Sequence, residues 1–147
     1  MTTAFITHED CLLHDMGVHH PEQPARLKAV EDQLIASGLI GCLRHVDAPL
    51  AGREQLERVH APGYIDAIEE AAPKKGITHL DPDTVMNPHT LRAALRAAGA
   101  AVLATDMVMR GEVSNAFCNI RPPGHHAERR KAMGFCLFNN VAVAAAH

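Results

Sequence analysis

The sequence has no tryptophan, one tyrosine and four phenylalanines in 147 residues, and its net charge is only −3. It has no extended basic run. Single-stranded nucleic acid is held by a basic groove with stacking rings, so both shortages argue against a nucleic-acid partner. No apolar stretch reaches the ~20 residues of a membrane helix, and the amino terminus lacks a charged-then-apolar signal. No membrane partner is expected, and the cytoplasm is the default location. The four cysteines, Cys11, Cys42, Cys118 and Cys136, show no C-x-x-C spacing and read as reduced core thiols. There is no G-x-x-x-x-G-K-[ST] and no G-x-G-x-x-G, which leaves nucleotide binding without support. Nor is there a G-x-S-x-G elbow to present a serine nucleophile. Internal repeats and low-complexity segments are also absent.

What is present is a hydrophobic fraction of 47%, enough for the core of one domain, and eleven histidines. Ala4–Thr7 reads as a first strand. His8–His20 reads as a turn-rich loop whose histidines fit no zinc spacing. Pro21–Pro24 makes a rigid turn into a helix with Leu27, Val30, Leu34 and Ile35 at helical spacing, ended by Gly38. Arg26, near its start, reads as a solvated first-turn charge or as a charge facing a cavity. Leu43–Val46 is a second strand candidate. Arg53–Val59 and Tyr64–Ala72 are short helices separated by His60-Ala61-Pro62. Leu80–Thr84 reads as a loop with two carboxylates, one of them explained by an Asx turn or a cap. Pro88–Arg110 is the strongest helix, with Leu91, Leu95, Ala98 and Val102 on one stripe and many alanines for close packing. Ala116–Ile120 reads as a buried strand. Asn139 is expected to cap a last helix, Val141–His147.

Strand, long helix and strand together indicate an α/β fold with a parallel sheet, in which sites gather beyond the carboxyl ends of the strands. Three strand candidates would leave an uncovered sheet with a free edge. The expectation is therefore a sheet completed by further chain.

The segment Arg121–Asn140, RPPGHHAERRKAMGFCLFNN, carries the chemistry. Pro122, Pro123 and Gly124 stiffen a turn that presents His125 and His126 just past a strand. Adjacent imidazoles repel when both are charged, so one can serve as a base while the other carries a proton. That arrangement suits hydrolysis by water. Cys136 lacks any mark of an activated nucleophile, and a metal-activated water is the better candidate.

Five segments together resemble the zinc-dependent histone deacetylase family, chiefly its class II-like members, which include bacterial deacetylases and acetylpolyamine amidohydrolases. They are HPEQPARL at His20–Leu27, VHAPGYI at Val59–Ile65, LDPDT at Leu80–Thr84, RPPGHHAE at Arg121–Glu128 and MGFCLFNNVAVAA at Met133–Ala145. The resemblance implies the N-terminal part of an arginase/deacetylase-type fold, with residues 1–147 as part of one catalytic domain. It implies that His126 is the general base and then the acid, and that His125 is its electrostatic partner. It further implies that Gly134 and Phe135 line the acyl tunnel, that Asp83 (or, failing it, Asp81) binds substrate at the rim, and that Arg26 lines an internal cavity.

The implied substrates are acetylated lysine, an acetylpolyamine or another small acyl amine. The implied cofactor is Zn2+ in the complete protein. The family's zinc ligands, including a D-x-H motif, and its oxyanion-binding tyrosine have no counterpart in these residues. No metal ligand is therefore assigned in this chain, and on its own it is expected to be inactive. The alternatives are a non-catalytic member that binds acylated ligands and a truncated product without function. Oligomeric state is open.

Overall fold

Strand β1, Thr3–Thr7, is the centre of the main sheet. Ala4, Phe5 and Ile6 are fully enclosed, as a parallel strand flanked on both sides requires. Its neighbours are β2, Leu43–Asp47, and β5, Asn115–Cys118, both parallel to it, in the order β2-β1-β5. A second sheet is an antiparallel hairpin of β3, Thr78–Asp81, and β4, Thr84–Met86. The computed structural model describes every residue from Met1 to His147.

Six helices surround these strands: α1 Asp10–Leu13, α2 Ala25–Ala36, α3 Arg53–Glu57, α4 Pro62–Ala71, α5 Thr90–Met109 and α6 Asn140–Ala145. Pro62 stands in the first turn of α4, where its missing N–H costs nothing. Gly38, at φ +72°, follows the end of α2 in the left-handed conformation that glycine adopts without strain.

The long helix α5 divides the core in two. Ala94, Ala98 and Val102 pack with Leu56, Ile65, Ile68, Leu137, Phe138 and Val143, and Leu91 and Leu95 flank them. Ala100 and Met107 pack instead against the sheet with Ala4, Ile6 and Ala48. The alanine content now has a reason: small side chains on two faces let both layers approach one helix. At Gly99 a Cβ would lie 2.1 Å from the Pro49 carbonyl oxygen, so only glycine fits there.

Several expectations need correction. Leu80–Thr84 is not a free loop but the turn of the β3–β4 hairpin, with a register shift between His79 and Asp81. The stretch after β1 contains a helical turn, α1, whose Asp10 accepts from Arg92 and Arg96 of α5 at 2.8 Å each. Strand β5 is an edge strand rather than a buried one, and Phe117 is 49% exposed while stacking on Phe5. Cys42 is exposed and not a core thiol, whereas Cys11 and Cys136 are buried.

Candidate functional site

Chain leaving β5 is fastened before it reaches the histidines. Asn119 donates its backbone N–H to the Ile6 carbonyl at 2.8 Å, and the Thr7 hydroxyl donates to the Asn119 carbonyl at 2.9 Å. Arg121 follows, fully enclosed. Its guanidinium grips Glu22 through two bonds of 2.6 Å and donates to the carbonyls of Cys11 and His14 at 2.8 and 2.7 Å. Burial opposes ionisation of Glu22, but hydrogen bonds from His14 and Arg121 outweigh it and hold that carboxyl down at about 2. His14, also enclosed, shares a 2.8 Å hydrogen bond with the Thr90 hydroxyl and lies 3.4 Å from Glu22. This buried knot ties α1, α5 and the Pro21–Pro24 turn before α2 to the base of the loop.

His125 and His126 then stand exposed beside each other, with ring centroids 4.3 Å apart. Two glycines set their position. Gly124 lies where a Cβ would be 2.5 Å from the Asn140 nitrogen and the Phe138 oxygen. Gly134 lies under the His126 ring, where a Cβ would come within 2.7 Å of Cδ2 and 2.8 Å of Cγ. Met133 and Cys136 exchange backbone hydrogen bonds of 3.2 and 3.0 Å around Gly134-Phe135. Both central residues have positive φ, +57° and +69°, the signature of a type I′ turn. Glycine takes that conformation freely. Phe135 does not, and is held there by bonds on both sides.

One of those bonds links Phe135 to the hairpin. Its N–H donates to the buried Thr84 hydroxyl at 3.0 Å, and that hydroxyl donates to the Asp83 carboxylate at 3.0 Å. Asp81 accepts from the Asp83 N–H at 2.8 Å, which is an Asx turn and occupies Asp81 structurally. Hydrogen bonding with Asp81, then with Thr84, keeps the exposed Asp83 carboxyl below the usual carboxylate range. His20 joins the same cluster: its ring meets Phe135 edge-on at 4.7 Å, and its Nε2 donates to the Asp83 carbonyl at 3.2 Å.

On the other side of the histidines is a cavity of about 450 Å³ lined by Arg26, Glu22, Cys118, Ile120, Gly124 and His125, among others. Arg26 donates from Nη2 to the Ile120 carbonyl. The residue is largely exposed and lines this cavity. Thus His125, His126, Gly134, Phe135 and Asp83 come together on one side, and Arg26 meets His125 across the cavity.

The sequence does not single out three further residues, Glu22, Thr84 and His60. All three lie inside the recognised segments but look like ordinary polar positions until their partners are seen. His60 is fully enclosed between Tyr64 and Phe138. Its Nδ1 is 3.0 Å from the Glu128 carbonyl, and its Nε2 accepts from the Asn139 N–H at 2.9 Å. Tyr64 donates its hydroxyl to the Leu137 carbonyl at 2.6 Å, and burial pushes its pKa upward, so it serves packing.

No three His, Cys, Asp or Glu side chains converge in a way that could hold a metal ion. The residues present therefore do not fit a zinc site. Burial raises the Cys136 thiol and pushes Cys118 up to about 11, which disfavours thiolate chemistry at either.

A family profile described as the histone deacetylase domain matches residues 20–147. The human polyamine deacetylase HDAC10 is 41% identical over all of this chain, which covers 23% of it. Histone deacetylase 15 of Arabidopsis thaliana is 42% identical over 98% of the chain, which covers 27% of it. A histone deacetylase-like amidohydrolase of Pseudomonas aeruginosa is 36% identical over 97% of the chain, which covers 42% of it. The crystal structure of the HDA15 HD domain superposes with a TM-score of 0.92 at 38% identity, over 98% of this chain and 42% of that one. The chain therefore spans less than half the length of each of these relatives.

Proposed function

The chain belongs to the histone deacetylase family, a family of zinc-dependent deacetylases and amidohydrolases, and from that premise we propose that it carries the acid–base pair and acyl-binding wall of an amide hydrolase. The substrate is an acetylated lysine side chain, an acetylpolyamine or a related small acyl amine. The observation that carries this reading is the His126 ring seated on Gly134, with His125 at 4.3 Å and Phe135 next in the turn.

In this reading His126 takes a proton from water as the water oxygen bonds to the acyl carbon. It returns that proton to the nitrogen as the C–N bond breaks, and the acid released gives up water's other proton to the amine, leaving a carboxylate and an ammonium. His125 supports the charge that builds on its neighbour. Phe135 walls the acyl chain, and the Asp83 carboxylate receives an N–H of the substrate at the rim. Arg26 lines the cavity behind the histidines. Zinc belongs to the family's chemistry, but the residues of this chain do not fit it.

Two assays test the proposal. A protein that joins this segment to the remaining length of the family domain is expected to release acetate from an acetyl-lysine peptide or an N-acetylated polyamine. No release from either would refute the hydrolase reading; acyl-amine binding without release would favour a binding role. The 147-residue chain alone is expected to show no zinc-dependent deacetylation, and detectable turnover would overturn that claim.

A further inference from the structure

We propose that His60 is a positioning residue for the histidine pair, locking the two segments of the site in register through a neutral imidazole. It lies outside both segments, between α3 and α4, yet it bonds to each. A carbonyl can only accept and a backbone N–H can only donate, so the roles of its nitrogens are fixed. Nδ1–H donates to the Glu128 carbonyl and Nε2 accepts from the Asn139 N–H. A protonated ring carries hydrogen on both nitrogens and would turn one of them against the Asn139 N–H. Only the neutral Nδ1–H tautomer satisfies both partners.

The two anchored atoms bracket the site. Glu128 lies just past His126, and Asn139 follows the Gly134-Phe135 turn. Between them the segments touch with no slack: Gly124 against Phe138 and Asn140, Gly134 against His126. Asn139 and Asn140 add bonds to the Ala127 and Pro122 carbonyls. A shift of either segment by one residue would break the His60 bond to that segment and leave the ring tied to the other alone. The ring is enclosed by Tyr64 from α4 and Phe138 from the second segment, at 5.3 and 5.6 Å. The titratable groups around it are Tyr64 and, on the loop, Arg129. Burial first, with the Arg129 charge adding, lowers its pKa and so favours the neutral form.

The consequence for catalysis rests on the proposed function, but the test does not need turnover. Long-range 1H–15N NMR of the intact chain reads each imidazole, and amide exchange reads Asn139. The wild type is expected to show His60 as the Nδ1–H tautomer. His60→Gln, whose amide can both donate and accept, is expected to leave the His125 and His126 ring signals and the Asn139 protection in place. His60→Leu, which fills the space without either bond, is expected to move both ring signals and speed Asn139 exchange about tenfold. An Nε2–H tautomer, lost signals in the Gln variant, or unchanged ring signals in the Leu variant would each overturn the proposal. If the Leu variant fails to fold, the tautomer and the Gln variant still decide it. Absence of deacetylase activity would leave these readouts intact and would count only against the proposed reaction.

Discussion

Residues with no room around them bear most directly on function. Gly134→Ala would place a Cβ 2.7 Å from the His126 ring at a φ of +57°. It is expected to cost about 1–3 kcal/mol and to displace His126, seen as a shifted imidazole signal and a lower denaturation midpoint. Arg121→Ala would leave Glu22 buried without its main partner, a loss of about 3–5 kcal/mol. Acid should act on the same knot. Glu22 is held at about 2 against an ordinary 4.5, so its ion pairing stabilises the fold above pH 4.5 and is lost as pH falls towards 2. His60 acts at higher pH. Its folded pKa lies below the ordinary 6.5, so stability is full above 6.5 and declines as pH falls below it. Urea midpoints measured from pH 8 to 3 are expected to fall in two stages. His60→Gln should remove the upper stage, and Glu22→Gln the lower.

The histidine pair and the GF turn were legible in the sequence because Pro, Gly and adjacent His leave local marks. The partners Glu22 and Arg121 were not, because a bidentate ion pair between positions 22 and 121 leaves no local pattern. The same holds for His60, whose two bonds reach residues 128 and 139.

Among the elements, α5 shows what periodicity can and cannot tell. The stripe Leu91, Leu95, Ala98, Val102 is the face towards the larger core, as its spacing predicts. The second face, with Ala100 and Met107 against the sheet, is hidden because alanine is compatible with both burial and exposure. Gly99→Ala tests the tightness of that packing. Its Cβ would meet backbone at Pro49 and Ala51, at 2.1 and 2.9 Å, and backbone cannot swing aside like a side chain. A loss of about 1–3 kcal/mol is expected in chemical denaturation, despite the better helix propensity of alanine. An unchanged or raised midpoint would mean that α5 and the 49–51 segment are farther apart than described. The β3–β4 hairpin escaped sequence reading for a related reason. Its strands of four and three residues are too short to show alternation, and the Pro82-Asp83 turn reads as any polar loop.

For the molecule as a whole, the parallel α/β architecture follows from strand, helix and strand order, and the HDA15 HD domain shares it at a TM-score of 0.92. That likeness covers 42% of that chain. Within this span lie the His125–His126 pair, the Gly134-Phe135 turn, the Asp83 carboxylate and Arg26, and no three His, Cys, Asp or Glu side chains converge as metal ligands. In the proposed reaction His126 moves the proton, and its placement on Gly134 makes this possible. The direct measurement is steady-state acetate release by His126→Ala and by wild type, in a protein where this segment continues into the rest of the family domain. In the variant kcat is expected to fall by about two to four orders of magnitude while KM for the acyl amine changes little. Near-normal turnover in the variant would contradict it.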